Sequence, residues 1–216
     1  MNAVLSKVFI ISGAMVMSGA MAMAQQNQPQ QMPPVNQPSN NPAAMSNPNQ
    51  QQQMQMQMQQ QQNSDMAAMQ DKAFLRKAAE GGMAEVQLGQ LAQQKASSQD
   101  VRQFGEKMVQ DHSQLDQQLK PIAEQQGVRP PKGLSKKDEA TLRKLERLSG
   151  QQFDHAYIKA MLKDHKKDLE EFKETANRTQ NPQLKDAAQH GAQVIESHLQ
   201  DIQQIAKSHN VSEKGA

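Results

Sequence analysis

Four segments of this chain carry apolar residues at steps of three and four, the period of an amphipathic α-helix. The first runs from about Asp71 to Ala96, and the second ends near Gln126. The third starts near Gly150 and the fourth near Pro182. No segment alternates apolar and polar residues as a strand would. The sequence therefore predicts an all-α fold over residues 71–210.

The turns between these segments differ in length. Ser97 to Asp100 and Asn181-Pro182 are short breaks with helix-capping residues, so they predict two tight helical hairpins. Residues 127–149 form a longer connection with a helical pattern of their own from Ser135 to Leu148. Two hairpins and one long helical connection predict an antiparallel four-helix bundle on the ferritin-like plan.

The first 24 residues have the pattern of a secretory signal peptide. Lys7 is followed by an apolar run from Val8 to Met17 and by the cleavage-type sequence Ala22-Met23-Ala24. We expect cleavage after Ala24 and export to the periplasm or the cell exterior. The apolar run is short for a bilayer span, so we expect no transmembrane segment after cleavage.

Residues 25–70 are dominated by Gln, Asn, Pro, Ser and Met. Such a segment cannot bury enough apolar surface to offset its conformational entropy, so we expect a disordered linker. Its methionines include Met54, Met56 and Met58, and thioethers are soft ligands that suit Cu(I). A low-complexity tether is the interpretation that we favour.

Composition excludes several classes of function. The chain has 24 Lys+Arg and 22 Asp+Glu, one Tyr, five Phe and no Trp. Because the cationic excess is small and aromatic rings are few, we expect no nucleic-acid binding. The chain has no Cys, which excludes disulfides, thiolate metal sites and thiol nucleophiles.

One ionisable residue interrupts the apolar stripe of each long helix. These residues are Glu85, His112, His165 and His198. Glu85 and His112 are almost equally far from the turn at Ser98, and the other two are almost equally far from the turn at Asn181. Since each residue of a helix adds about 1.5 Å of height, all four are predicted to lie in one layer at mid-bundle.

A buried layer of one carboxylate and three imidazoles has two interpretations. It can hold a divalent metal, with Zn²⁺, Fe²⁺ and Mn²⁺ as candidates. Alternatively, it is a metal-free polar layer that fixes helix register. Further polar residues on the same helices are candidates to support the layer from outside: Asp116, Asp168, Asp201, Asp154 and Tyr157.

Several blocks of the sequence resemble a widespread family of exported bacterial proteins, the 4142 type of domain of unknown function. The blocks are residues 74–91 (FLRKAAEGGMAEVQLGQL), 108–112 (MVQDH), 150–157 (GQQFDHAY) and 164–165 (DH). The resemblance covers about residues 70–207 and implies a ferritin-like fold and an envelope location. It implies no reaction.

The Glu-x-x-His motif of di-iron bundles is absent, because Val109, Leu162 and Ile195 stand three positions before the histidines. An enzymatic role, such as a metal-dependent oxidase, is therefore disfavoured. Two hypotheses remain, with any envelope protein partner and the oligomeric state left open. The first is an exported bundle that binds a metal or small ligand at its centre, in envelope stress tolerance by analogy. The second is a non-enzymatic interaction module whose polar layer is purely structural.

Overall fold

Five α-helices and no strand make up residues 47–212, the part of the chain that the computed structural model describes. They are α1 (Pro48–Lys95), α2 (Gln99–Gln125), α3 (Lys136–Glu146), α4 (Gly150–Arg178) and α5 (Pro182–Ser208). The predicted signal peptide and residues 25–46 of the predicted linker lie outside the described residues.

The N-terminal half of α1 corrects one boundary of the sequence analysis. We predicted a disordered linker as far as residue 70, but α1 begins at Pro48, where the Asn47 side chain accepts a hydrogen bond from the Asn49 amide. Gln and Met favour helix, and the cap and the proline fix the first turn. Every residue from 47 to 66 is exposed, so this half of α1 buries no side chain in the bundle core.

The long helices α1, α2, α4 and α5 form the predicted bundle. Helices α1 and α4 run antiparallel, since Asp71 accepts a hydrogen bond from Thr179 and Asp154 accepts one from the Ser97 amide. Helices α2 and α5 also run antiparallel, as contacts at both of their ends show. Helix α4 is therefore parallel to α2, and the connection containing α3 returns along the length of the bundle. This confirms the predicted fold class.

The bundle core is divided into two apolar clusters. One contains Phe104, Met108, Phe153 and Met161, and the other contains Phe74, Leu119, Phe172 and Leu184 among its members. Buried polar side chains lie between the two clusters. The core therefore does not run uninterrupted along the bundle axis.

Helices α1 and α2 approach each other closely at Gly89 and Gly105. A Cβ atom on Gly89 would lie 2.6 Å from the carbonyl oxygen of Gly105, and one on Gly105 would lie 2.8 Å from that of Gly89. These distances are too short for a side chain, so both positions need glycine. The contact fixes the spacing of α1 and α2 at the end of the bundle that contains Phe104.

Candidate metal centre

Each long helix contributes one ionisable side chain to the middle of the bundle. Glu85, His112, His165 and His198 retain 6%, 3%, 0% and 0% of their exposure, respectively. Their positions within the apolar stripes turn them toward the bundle axis, where they lie between the two apolar clusters. The structure thus brings together all four residues that the sequence analysis singled out.

The three imidazole rings form a compact group. One nitrogen from each of His112, His165 and His198 lies within 4.8 Å of the other two. The ring centroids are 5.2–5.8 Å apart. The shortest nitrogen pair is His165 Nε2 and His198 Nδ1, at 3.4 Å. Within residues 47–212, this is the one group of three or more His, Cys, Asp or Glu side chains with such spacing.

The opposite nitrogen of each ring faces an oxygen acceptor. His165 Nδ1 is 3.1 Å from the Met161 carbonyl oxygen, and His198 Nε2 is 2.8 Å from Asp111 Oδ2. His112 Nδ1 is 3.0 Å from Glu85 Oε2. Since carbonyl and carboxylate oxygens accept hydrogen bonds, the tautomers that satisfy all three contacts carry their N–H at these nitrogens. The remaining nitrogens then hold lone pairs.

Two of these lone pairs oppose each other. With Nδ1 of His165 and Nε2 of His198 protonated, the two nitrogens 3.4 Å apart both act as acceptors. Moving the proton of His165 to Nε2 would satisfy His198 but would turn a lone pair toward the Met161 carbonyl. His112 Nε2 is also buried and has no hydrogen-bond partner. A bound cation resolves all three deficits.

At neutral pH, a proton is a poor substitute for a metal cation between these nitrogens. Burial lowers the pKa of each of the three histidines to about 4, because a dry environment disfavours the charged ring. Burial raises the pKa of Glu85 to about 7, against the opposing effect of His165. Near neutral pH the layer therefore holds three neutral imidazoles beside a carboxylate that is partly ionised.

Glu85 occupies a different place from the one that we predicted. We expected it among the metal ligands, but its Oε2 lies beside His112 Nδ1, on the far side of that ring from the free nitrogen. Its Oε1 accepts no hydrogen bond, and His165 Nδ1 is 3.6 Å away. A carboxylate in this position orients the ring and balances charge, as carboxylates behind metal-bound histidines do.

Asp116 and Asp168 lie close to the layer. Both line a cavity of about 30 Å³ that Glu85 and His112 also line. Burial and the neighbouring Glu85 raise the pKa of Asp116 to about 6 and that of Asp168 to about 8. Asp116 lies over Gly82, where a Cβ would come within 2.3 Å of its Oδ1.

Asp154 and Asp201, which we predicted to support the layer, lie elsewhere. Asp154 lies on α4 and is buried beside the start of α2. There it accepts hydrogen bonds from the Ser97 and Ser98 amides at 3.0 Å. Asp201 forms an ion pair with Lys107 at 2.7 Å. Asp201 follows His198 by three residues yet pairs with Lys107, so an acid near a histidine in sequence does not necessarily contact it.

Tyr157 is buried near the layer without touching the histidines through its hydroxyl. Its ring stacks on Phe153 and meets Phe104 edge-on, and Phe104 in turn contacts His165. The hydroxyl has no hydrogen-bond partner. Burial, with a smaller contribution from Glu85, raises the pKa of Tyr157, so its phenol stays protonated.

Asp111 is the residue that the sequence analysis missed. It directly precedes His112 and is therefore turned about 100° around α2, toward α5. From there it binds the ring of His198 rather than that of its neighbour. The signal available in the sequence was the Asp-His pair at 111–112, which occurs again at 154–155 and at 164–165.

The sequence matches the family described as a domain of unknown function, DUF4142, over residues 37–205. The chain belongs to the DUF4142 family. This match confirms the resemblance noted from the sequence blocks. No curated protein matches the sequence.

A solved structure resembles this DUF4142 protein in fold. It is the crystal structure of a DUF305 protein from Streptomyces coelicolor that is thought to be secreted. The two share 15% sequence identity with a TM-score of 0.58, over 67% of this chain and 94% of the other. At that identity the likeness establishes the fold alone. Within the described residues, none of the helices combines the length and the apolar character needed to cross a membrane.

Proposed function

We propose that this DUF4142 protein binds one divalent transition metal, with Zn²⁺ the best fit, through His112, His165 and His198. The observation that carries this proposal is the arrangement of three buried imidazoles. Each has one nitrogen next to an oxygen acceptor, and one nitrogen of each ring lies within 4.8 Å of the other two.

The spacing of the nitrogens supports zinc. Tetrahedral Zn²⁺ with Zn–N bonds of about 2.0–2.1 Å places its ligand nitrogens about 3.3–3.4 Å apart. His165 Nε2 and His198 Nδ1 are already 3.4 Å apart, and a small rotation of the His112 ring would complete the triangle. Three histidines leave a fourth position for water or another small ligand.

The partners behind the rings also support a metal. Histidines that bind metals usually donate their second N–H to a carboxylate or a backbone carbonyl. Here Glu85 and Asp111 supply two carboxylates and Met161 supplies a carbonyl. A purely structural layer would gain from hydrogen bonds between its members, but His112 Nε2 has no such partner, and a bond from His165 to His198 would leave a lone pair of His165 facing the Met161 carbonyl.

The test is thermal unfolding of the mature chain with and without added Zn²⁺. A ligand that binds only the folded state stabilises it by about 2.7 kcal/mol at one hundred times its Kd. For a domain of this size, that corresponds to a rise in Tm of about 5–10 °C. His112→Ala should abolish the rise. His190→Ala should keep it, because that exposed ring binds Gln118 on the outside of the bundle.

If Zn²⁺, Fe²⁺ and Mn²⁺ all leave the Tm unchanged, the metal hypothesis is wrong. The interaction module with a structural polar layer then becomes the better account. In that case, substitutions in the layer would change stability only, with coupling between pairs of histidines.

We further propose that residues 1–24 direct export and are removed after Ala24. The sequence pattern supports this, and the resemblance in fold to a protein that is thought to be secreted agrees with it. Mass spectrometry of the native protein should find Gln25 at its N-terminus, and a retained Met1 would contradict the proposal. The role in envelope stress tolerance stays a prediction. Growth of a deletion strain under excess zinc would test it.

A further inference from the structure

Two adjoining cavities connect the surface with the histidine layer. The outer one is a crevice of about 170 Å³ between α1, the start of α3 and α4. The inner one, of about 30 Å³, is lined by Glu85 and His112 and is large enough for one water molecule or one ion. Both are lined by Lys77, Gly81, Glu85 and Asp168, so these residues stand where one cavity meets the other. Lys77 is held there by an ion pair with Glu171.

The outer crevice offers carboxylate ligands rather than a strong negative charge. Its lining includes five acidic residues and three lysines. The acids are Glu80, Glu85, Asp138, Asp164 and Asp168. Because the pKa of Glu85 is raised to about 7 and that of Asp168 to about 8, the charges of the acids and the lysines nearly balance at neutral pH. A divalent cation binds such carboxylates by displacing their protons.

Glu85 has one oxygen available at the junction. The side chain is buried, with 8% of its surface exposed, and Oε1 accepts no hydrogen bond. Its other oxygen lies 3.0 Å from His112 Nδ1. A buried carboxylate oxygen without a donor is a ready ligand for a cation that arrives from the crevice.

We propose that the junction between the cavities is the route by which the metal reaches the three histidines, with Glu85 and Asp168 as transfer ligands. This inference rests on the proposed metal site and adds its access route. A cation would shed water at the two carboxylates and then pass to the ring nitrogens. Neither carboxylate needs to remain bound to the metal at equilibrium.

Gly81 allows the route to be blocked without disturbing the core. A Cβ on Gly81 would have no heavy atom within 4 Å, so the position opens on empty space. Gly81→Leu should fill part of the junction, whereas Gly81→Ala should leave it open. Circular dichroism and thermal melting of both variants would establish that each is folded.

The experiment measures Co²⁺ binding to the full mature chain by stopped-flow absorbance, together with the equilibrium Kd. Gly81→Leu should slow association and dissociation by the same factor and leave Kd unchanged, and Gly81→Ala should retain the rates of the unmodified protein. Asp168→Asn should lower the association rate constant about tenfold at both low and high salt, because at neutral pH it removes a ligand rather than a charge. Asp186→Asn, the same substitution at an exposed acid on α5, is the control and should have no effect.

Two failures are distinguishable. If the unmodified protein binds Co²⁺ but Gly81→Leu and Asp168→Asn leave both rates unchanged, the access route is wrong and the metal site stands. If the unmodified protein binds no Co²⁺ and no Zn²⁺ at equilibrium, the proposed function and the route are both overturned.

Discussion

His165 Nε2 and His198 Nδ1 lie 3.4 Å apart in the centre of the bundle, and the opposite nitrogen of each ring faces an oxygen acceptor. With the N–H of each ring directed at its oxygen acceptor, two lone pairs oppose each other in a dry environment. Such an arrangement is costly without a cation, because unsatisfied buried polar groups cost about 1–3 kcal/mol each.

Glu85→Gln tests the position of the carboxylate behind His112. An orienting partner of a metal-bound histidine typically changes affinity about 10–100-fold, whereas loss of a ligand costs more. We expect a decrease of that size in Zn²⁺ affinity by competition titration, with one metal still bound per chain. Glu106→Gln, on the exposed face of α2, should leave the affinity unchanged. Complete loss of binding in Glu85→Gln would instead make Glu85 a direct ligand.

The pH dependence of Zn²⁺ affinity should have two stages. The pKa of Glu85 is about 7, so acidification below pH 7 neutralises this carboxylate and weakens binding with a slope of one proton. The histidines have pKa values of about 4 in the metal-free protein, so competition by three further protons begins only as pH approaches that value. Glu85→Gln should remove the first stage. A three-proton slope centred near pH 6.5 would show that the rings titrate as exposed histidines do.

The sequence predicted correctly which residues share a height along the bundle axis. Helical period and turn position fixed which residues lie at mid-bundle, and Glu85, His112, His165 and His198 do lie there. It could not assign their roles, because the direction in which each ring presents its lone pair depends on side-chain torsion angles. It missed Asp111 for the same reason, since that residue reaches a histidine on another helix. The extent of α1 was underestimated because Gln and Met form helix without any apolar stripe to reveal it.

Gly105→Ala should destabilise the bundle although alanine favours helix. The added Cβ would approach the Gly89 carbonyl oxygen at 2.8 Å, and forced separation of packed helices costs about 1–3 kcal/mol. The control is Gly81→Ala, where the Cβ meets nothing and the substitution should stabilise α1 by up to about 1 kcal/mol. Urea unfolding midpoints of the two variants should move in opposite directions. Equal midpoints would show that α1 and α2 do not touch at Gly105.

Deletion of residues 25–64 should leave the stability of the bundle unchanged. The described part of this segment, residues 47–64, exposes every side chain and packs against no other helix. An unsupported helix of this kind is only marginally stable in water, so its amides should exchange with solvent much faster than those after Asp71. The Tm of the shortened chain should match that of the mature protein. A decrease of several degrees would mean that the segment packs against the bundle.

The central claim is that three imidazoles hold one metal ion, and X-ray absorption at the zinc edge tests it most directly. The mature protein, loaded with one equivalent of Zn²⁺ at pH 7.5, should show three imidazole nitrogens at about 2.0–2.1 Å and one further light ligand. His165→Ala should lose the imidazole scattering, and His190→Ala should keep it. A spectrum of hydrated zinc with no imidazole ligands would contradict the claim and return the layer to a purely structural role.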